Sequence, residues 1–253
     1  MAIRSLACAV LLAAISSGAL AVDSPEREPR ALDALQKMSD YMRSLQRFQI
    51  SADSTTDQVL DSGQTIQFSH HTELKAERPN RLQVTVSDGL HRRSLYYDGN
   101  HFVVYGDLHN YYSRLVAPPN IDSLLEQLEG RYGIQLPLAD LFYWSNDRSL
   151  RDNIHSAAYI GTEKLAGKTC EHYAYRQDGI DWQLWVESGP QPLPCQLVII
   201  SSNDEARPRH SVRLHWQPAP TFTTDTFDFQ PPTGAQAVEL RQLDTNQPQQ
   251  SNQ

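Results

Sequence analysis

Apolar side chains at Leu32, Leu35, Met38, Met42 and Leu45 recur in steps of three and four, which puts them on one stripe of a helix. Tyr41 and Phe48 widen that stripe, and Asp33, Lys37, Asp40 and Arg43 fall outside it. The spacing predicts a helix over 29–47 lying on a sheet with one wet side. From Phe48 onward the period drops to two, with Gly63, Pro79-Asn80, Asp88-Gly89, Asp98-Gly99-Asn100 and Gly106-Asp107 as turn punctuation, so an antiparallel meander is expected. Leu82, Val84 and Val86 alternate with polar neighbours, as one buried face requires, whereas residues 102–105 are apolar on both faces.

Helical spacing returns at Ile121, Leu124, Leu125 and Leu128, behind Pro118-Pro119-Asn120 and ahead of Gly130 and Gly133. Residues 136–144 follow with only Asp140 charged, too apolar all round to lie exposed, so they are expected to be buried or to line something. Strands then resume over 156–162, 169–176, 181–187, 196–202, 211–216 and 221–229. The sum is a mainly β, α+β protein: a large twisted antiparallel sheet of about ten or eleven strands with three helices, of a size that tends to curl. Helices in the concavity of such a sheet make a pocket.

The first 21 residues change the setting. Arg4 is a positive n-region, residues 6–15 an apolar core and Ala19-Leu20-Ala21 a small-residue cleavage signature, so residues 1–21 read as a signal peptide cleaved ahead of Val22. The run breaks at Ser16-Ser17-Gly18, short of the roughly 20 apolar residues a membrane span needs. The expected location is periplasmic or secreted. The whole chain carries a net charge of −8, and Arg4 is the only charged residue of the leader, which leaves −9. That balance excludes a nucleic-acid partner and suits solubility. Residues 31–241 read as one domain, between a charged segment 22–30 and a polar tail 242–253 that are both expected to be disordered.

Chemical motifs are few. Cys170 and Cys195 are the cysteines left after cleavage, and in an oxidising compartment a lone pair reads as a disulfide. A simple meander would hold them one strand apart, about 9.5 Å at twice the interstrand spacing, so the bond requires the middle strand to end early at Ser188-Gly189-Pro190. His70 and His71 point to opposite faces of a regular strand and do not share an ion, and no metal or cofactor is expected. There is no Gly-x-Ser-x-Gly elbow and no phosphate loop. Asp140, alone in its apolar segment, reads either as a turn or cap residue or as a carboxylate whose pKa burial would raise.

An ordered set of short signatures spans nearly the whole mature chain. It comprises Arg78-Pro79-Asn80-Arg81-Leu82, Tyr97-Asp98-Gly99-Asn100, Tyr112, Ala117-Pro118, Ile121-Asp122, Leu136-Pro137-Leu138-Ala139-Asp140-Leu141, Trp182-Gln183-Leu184-Trp185, Pro192-Leu193-Pro194 and Phe227-Asp228-Phe229-Gln230-Pro231-Pro232-Thr233-Gly234-Ala235. In these the chain resembles a family of periplasmic bacterial proteins carrying a domain of unknown function, similar in fold to the LolA/LolB lipoprotein-carrier superfamily. The resemblance implies an unclosed half-barrel sheet, an N-terminal helix, helices inserted on its concave side, and an apolar cavity that takes acyl chains in the carriers. By that analogy Leu124, Leu125, Leu128, Leu141, Phe142 and Trp144 are the expected cavity lining. The function expected is non-enzymatic shelter of a hydrophobic small molecule or a lipidated protein, with transient membrane or lipoprotein contact. An envelope interaction or sensing module with a self-filled core stands second, and an esterase-like hydrolase third.

Overall fold

The structure, a computed structural model, describes residues 27–146 and 151–243; the leader, its cleavage site and residues 244–253 of the tail lie outside them. Its centre is a twelve-stranded sheet. The strands are β1 (Arg47–Val59), β2 (Thr65–Glu77), β3 (Arg81–Ser87), β4 (Arg92–Tyr97), β5 (His101–Gly106), β6 (Tyr111–Val116), β7 (Ser156–Leu165), β8 (Lys168–Gln177), β9 (Ile180–Glu187), β10 (Pro194–Ser201), β11 (Arg209–Pro218) and β12 (Gln236–Ala237). Their order is β12-β6-β5-β4-β3-β2-β1-β11-β10-β9-β8-β7. All neighbours are antiparallel except the two-residue β12, which runs parallel to β6 and makes the sheet mixed. β12 and β7 are the two edges, so the sheet stays unclosed.

Three helices lie in its concavity: α1 (Pro29–Ser44), α2 (Ile121–Tyr132) and α3 (Asp140–Asn146). One core cluster holds Leu35, Met38 and Met42 of α1, Leu124 and Leu128 of α2, and Phe142 of α3. It also holds Leu82, Tyr97 and Phe102 from one half of the sheet and Tyr175, Trp182 and Leu184 from the other. Side chains so far apart along the strand order meet only if the sheet bends around the helices. Local chemistry agrees with each boundary. Pro29 sits in the first turn of α1. Asn120 caps α2, its side-chain oxygen accepting from the Ser123 N–H at 2.8 Å, and Gly133, at φ 64°, supplies the left-handed residue that ends the helix.

Three expectations are corrected. Residues 27–30, assigned to a disordered segment, are ordered: Arg27 bridges Ala157 of β7, the Glu28 N–H donates to the Ala157 carbonyl at 2.9 Å, and α1 begins at Pro29. Leu243, assigned to the polar tail, donates its N–H to the Arg131 carbonyl at 2.8 Å and packs on Gly133, where a Cβ would stand 3.4 Å from its methyl groups. Residues 221–229 are not a strand. Thr223 and Thr226 form a reciprocal capping box around a single 3₁₀ turn (Thr224–Thr226), which diverts the backbone from the ladder. The segment instead brings Phe229 onto Tyr96, Tyr105 and Tyr112, at ring separations of 5.4, 5.6 and 5.3 Å. This is why residues 102–105 are apolar on both faces.

The disulfide forms between Cys170 and Cys195, with Cα atoms 6.9 Å apart. Cys170 pairs with Glu187, the last residue of β9, so no strand intervenes beyond that point. Cys195 is the extra residue of a bulge, because Pro194 pairs with Val186 and Gln196 with Trp185. With Trp185 and Val198 the bridge forms a second, small core on the convex face.

A cleft between the first helix and the second half of the sheet

Period-two alternation sends Trp182, Leu197 and Ile199 to the concave face, opposite α1 and α3. Between them the structure leaves a cleft of about 280 Å3. Its apolar wall is Leu35 from α1, Trp144 from α3, Ile180 and Trp182 from β9, and Leu197 and Ile199 from β10. Its polar lining is Gln36, Ser39 and Arg43 on α1, Asp140 on α3, Arg151 and Gln177. The indoles of Trp144 and Trp182 stack at 6.1 Å, and Tyr175 stacks on the far side of Trp182 at 4.1 Å. The Tyr175 hydroxyl donates to the Ala31 carbonyl at 2.9 Å, pinning α1 against this wall, and burial raises its pKa strongly. Trp182 is 6% exposed, and among the described residues its buried indole N–H has no hydrogen-bond partner. An orphan donor of this kind costs roughly 1–3 kcal/mol.

Charge is arranged around the opening. Arg43 pairs with Asp40 at 3.0 Å. Arg151 donates to the Gln36 side-chain oxygen at 3.0 Å, and Arg27 donates to the Arg151 carbonyl at 2.7 Å. Asp140 begins α3, and the apolar surroundings push its pKa up, an effect that His210 partly offsets and Glu129 reinforces. His210 has its pKa lowered by burial and shares a 2.8 Å hydrogen bond with Thr56. α3 itself is held from below by Arg78, whose guanidinium stands 5.5 Å from the Phe142 ring and 5.9 Å from that of Phe48.

Of the six residues expected to line a cavity, Trp144 lines the cleft. Leu124, Leu125, Leu128, Leu141 and Phe142 are all buried in the main core, so α2 contributes packing alone and α3 turns Trp144 to the cleft, where it meets Leu35 of α1. The α1 residues Gln36, Ser39 and Arg43 were not singled out. Their spacing of three and four residues, flanking the apolar stripe, is the signal that marks them. His70 and His71 do face opposite ways: His71 bonds Asp53 at 2.8 Å and Glu73 at 3.0 Å, while His70 lies on the side of His210. Among the described residues no group of three or more His, Cys, Asp or Glu side chains is placed to hold a metal ion.

The two histidines make stability respond to pH in opposite senses. His210 is held neutral in the fold below its unfolded pKa near 6.5, so its contribution is present above that pH and lost as pH falls through and below it. His71, with its pKa raised chiefly by the Asp53 and Glu73 hydrogen bonds, contributes at low pH and loses that contribution as pH rises through its folded value. Urea unfolding at pH 7 and pH 5 should therefore show a smaller acid loss for His210→Gln than for the parent, and a larger one for His71→Gln. Equal losses in all three proteins would contradict the assignment.

The fold has solved relatives. Mycobacterium tuberculosis lipoprotein LppX superposes with a TM-score of 0.50 at 12% identity, covering 77% of this chain and 98% of its own. LprF from Mycobacterium bovis gives 0.47 at 11%, covering 78% and 96%. The LolA superfamily protein NE2245 from Nitrosomonas europaea gives 0.36 at 8%, covering 79% and 97%. No curated protein matches the chain. At 12% identity the likeness to LppX speaks for the architecture alone, the unclosed sheet wrapped on helices. Sequence speaks for kinship: a family profile described as predicted periplasmic protein (DUF2092) spans residues 31–241, from the first buried residue of α1 to beyond the parallel edge strand, and this chain belongs to that family.

Proposed function

We propose that the protein, delivered to the periplasm by a leader cleaved after Ala21, shelters a hydrophobic chain in the cleft between α1, α3 and strands β8 to β10. The carrying observation is the stacked Trp144–Trp182 pair on the apolar wall of a cleft of about 280 Å3. A concave apolar wall with a few polar groups beside it is the form that small-molecule sites take. The volume sets the scale of the ligand. At about 30 Å3 per water-sized group it takes roughly nine chain carbons, one chain rather than the several of a triacylated protein anchor. Each buried methylene contributes about 0.8 kcal/mol.

Titration with decan-1-ol, followed by tryptophan fluorescence, tests this, since two of the four tryptophans form the wall. The expected result is a saturable change with one equivalent of ligand. An unchanged spectrum up to the solubility limit would count against the chamber. A second reading, an envelope interaction module, is favoured by one observation: five of the six candidate lining residues are consumed by core packing.

A further inference from the structure

We infer that the ligand of this cleft is a single-chain monoanion, a medium-chain fatty acid, whose carboxylate is held at the opening by Arg151 beside Gln36. The inference rests on the proposed chamber and adds its chemical selectivity. A neighbouring polar cleft lined by Arg27, Gln36, Arg151 and Asp152 shares Gln36 and Arg151 with the apolar one, so these two side chains stand where the clefts adjoin. Around these clefts the positive charges are not equivalent. Arg43 is engaged by Asp40 at 3.0 Å, whereas the hydrogen bond of Arg151 goes to the neutral amide of Gln36, and among the described residues it forms no salt bridge. A guanidinium has five N–H donors in a planar fork, and one bond to Gln36 leaves donors for a planar carboxylate.

One further feature narrows the class. Asp140 on α3 and Asp152 beside Arg151 belong to the two linings, and carboxyl groups there work against a ligand with a second negative charge. On a mature chain of net charge −9 an arginine at the opening also favours the local approach of an anion.

The test titrates the mature full-length chain with decanoate, decan-1-ol and decyl phosphate at neutral pH. Decanoate should bind about tenfold or more tightly than decan-1-ol, as a charge-assisted hydrogen bond implies. Across a series from hexanoate to hexadecanoate, affinity should rise about fourfold per added methylene until roughly ten carbons and then level off. Arg151→Gln should bring decanoate to parity with decan-1-ol, and Arg151→Lys should keep most of the preference. A cooperative urea transition matching the parent's shows that Arg151→Gln is folded, so that a lost preference reads on the anchor. Equal binding of decanoate and decan-1-ol by the parent would overturn the anionic anchor and leave the chamber standing. Failure of every ligand to bind would overturn the chamber with it. Tighter binding of decyl phosphate than decanoate would overturn the carboxylate assignment, and a preference that survives Arg151→Gln would overturn the assignment to Arg151.

Discussion

Replacing Cys170 and Cys195 together by alanine should lower the unfolding free energy by about 3.5 kcal/mol, the loop-closure value for a bridge between residues this far apart. For a domain of this size that is a fall in Tm on the order of 10 °C. The bridge ties β8 to β10 past the end of β9, so without it the unfolded chain regains the freedom of the segment between the two cysteines. The convex core adds to the loss, because Trp185 and Val198 pack on the sulfurs and alanine leaves a gap there. Cys170 is fully buried, so mild reductant should leave the native protein bridged and act only in denaturant. Urea unfolding of the double variant measures the effect; a loss below about 1 kcal/mol would show that the bridge restrains little of the unfolded ensemble.

The second large effect is on binding. Trp144→Asp should weaken uptake of a ten-carbon alcohol at least 100-fold while the melting transition persists. Trp144 is only part-buried, so the fold tolerates its loss, yet the substitution removes the indole stacked on Trp182 and sets a carboxylate against the ligand chain. Burying a charge without a partner costs several kcal/mol, well above the 2.8 kcal/mol that 100-fold represents. The control is Leu125, which is 2% exposed in the main core. Leu125→Asp should abolish the cooperative transition itself, so it reports on folding and not on the site. Trp144→Asp protein that is folded and binds normally would remove the cleft from the account.

Periodicity alone carried the sheet and the helices, because one-sided burial imposes a period of two on strands and steps of three and four on α1 and α2. The Thr221–Phe229 region misled for a physical reason. A segment rich in threonine and phenylalanine suits a strand, but Thr223 and Thr226 satisfy each other's backbone and side chain, and Phe229 packs on three tyrosine rings. The site was only partly legible. Leu124 and Leu128 carry the same pattern whether they face a cavity or a core, and which of the two they meet depends on how far α2 sinks into the sheet. Trp144 was expected at a cavity only by analogy with the carrier fold, together with five residues that the structure packs into the core. Arg151 had no local signature, since its position depends on Gln36, 115 residues away.

The most direct test of a sheltered hydrophobic chain is native mass spectrometry of the mature protein purified from the periplasm without detergent, with extraction and identification of anything bound. The account predicts one adduct per chain whose mass corresponds to a single alkyl chain of about ten carbons, absent from Trp144→Asp protein prepared the same way. A bare mass for the folded, disulfide-bonded parent, unchanged after incubation with decanoate and decan-1-ol, would contradict it.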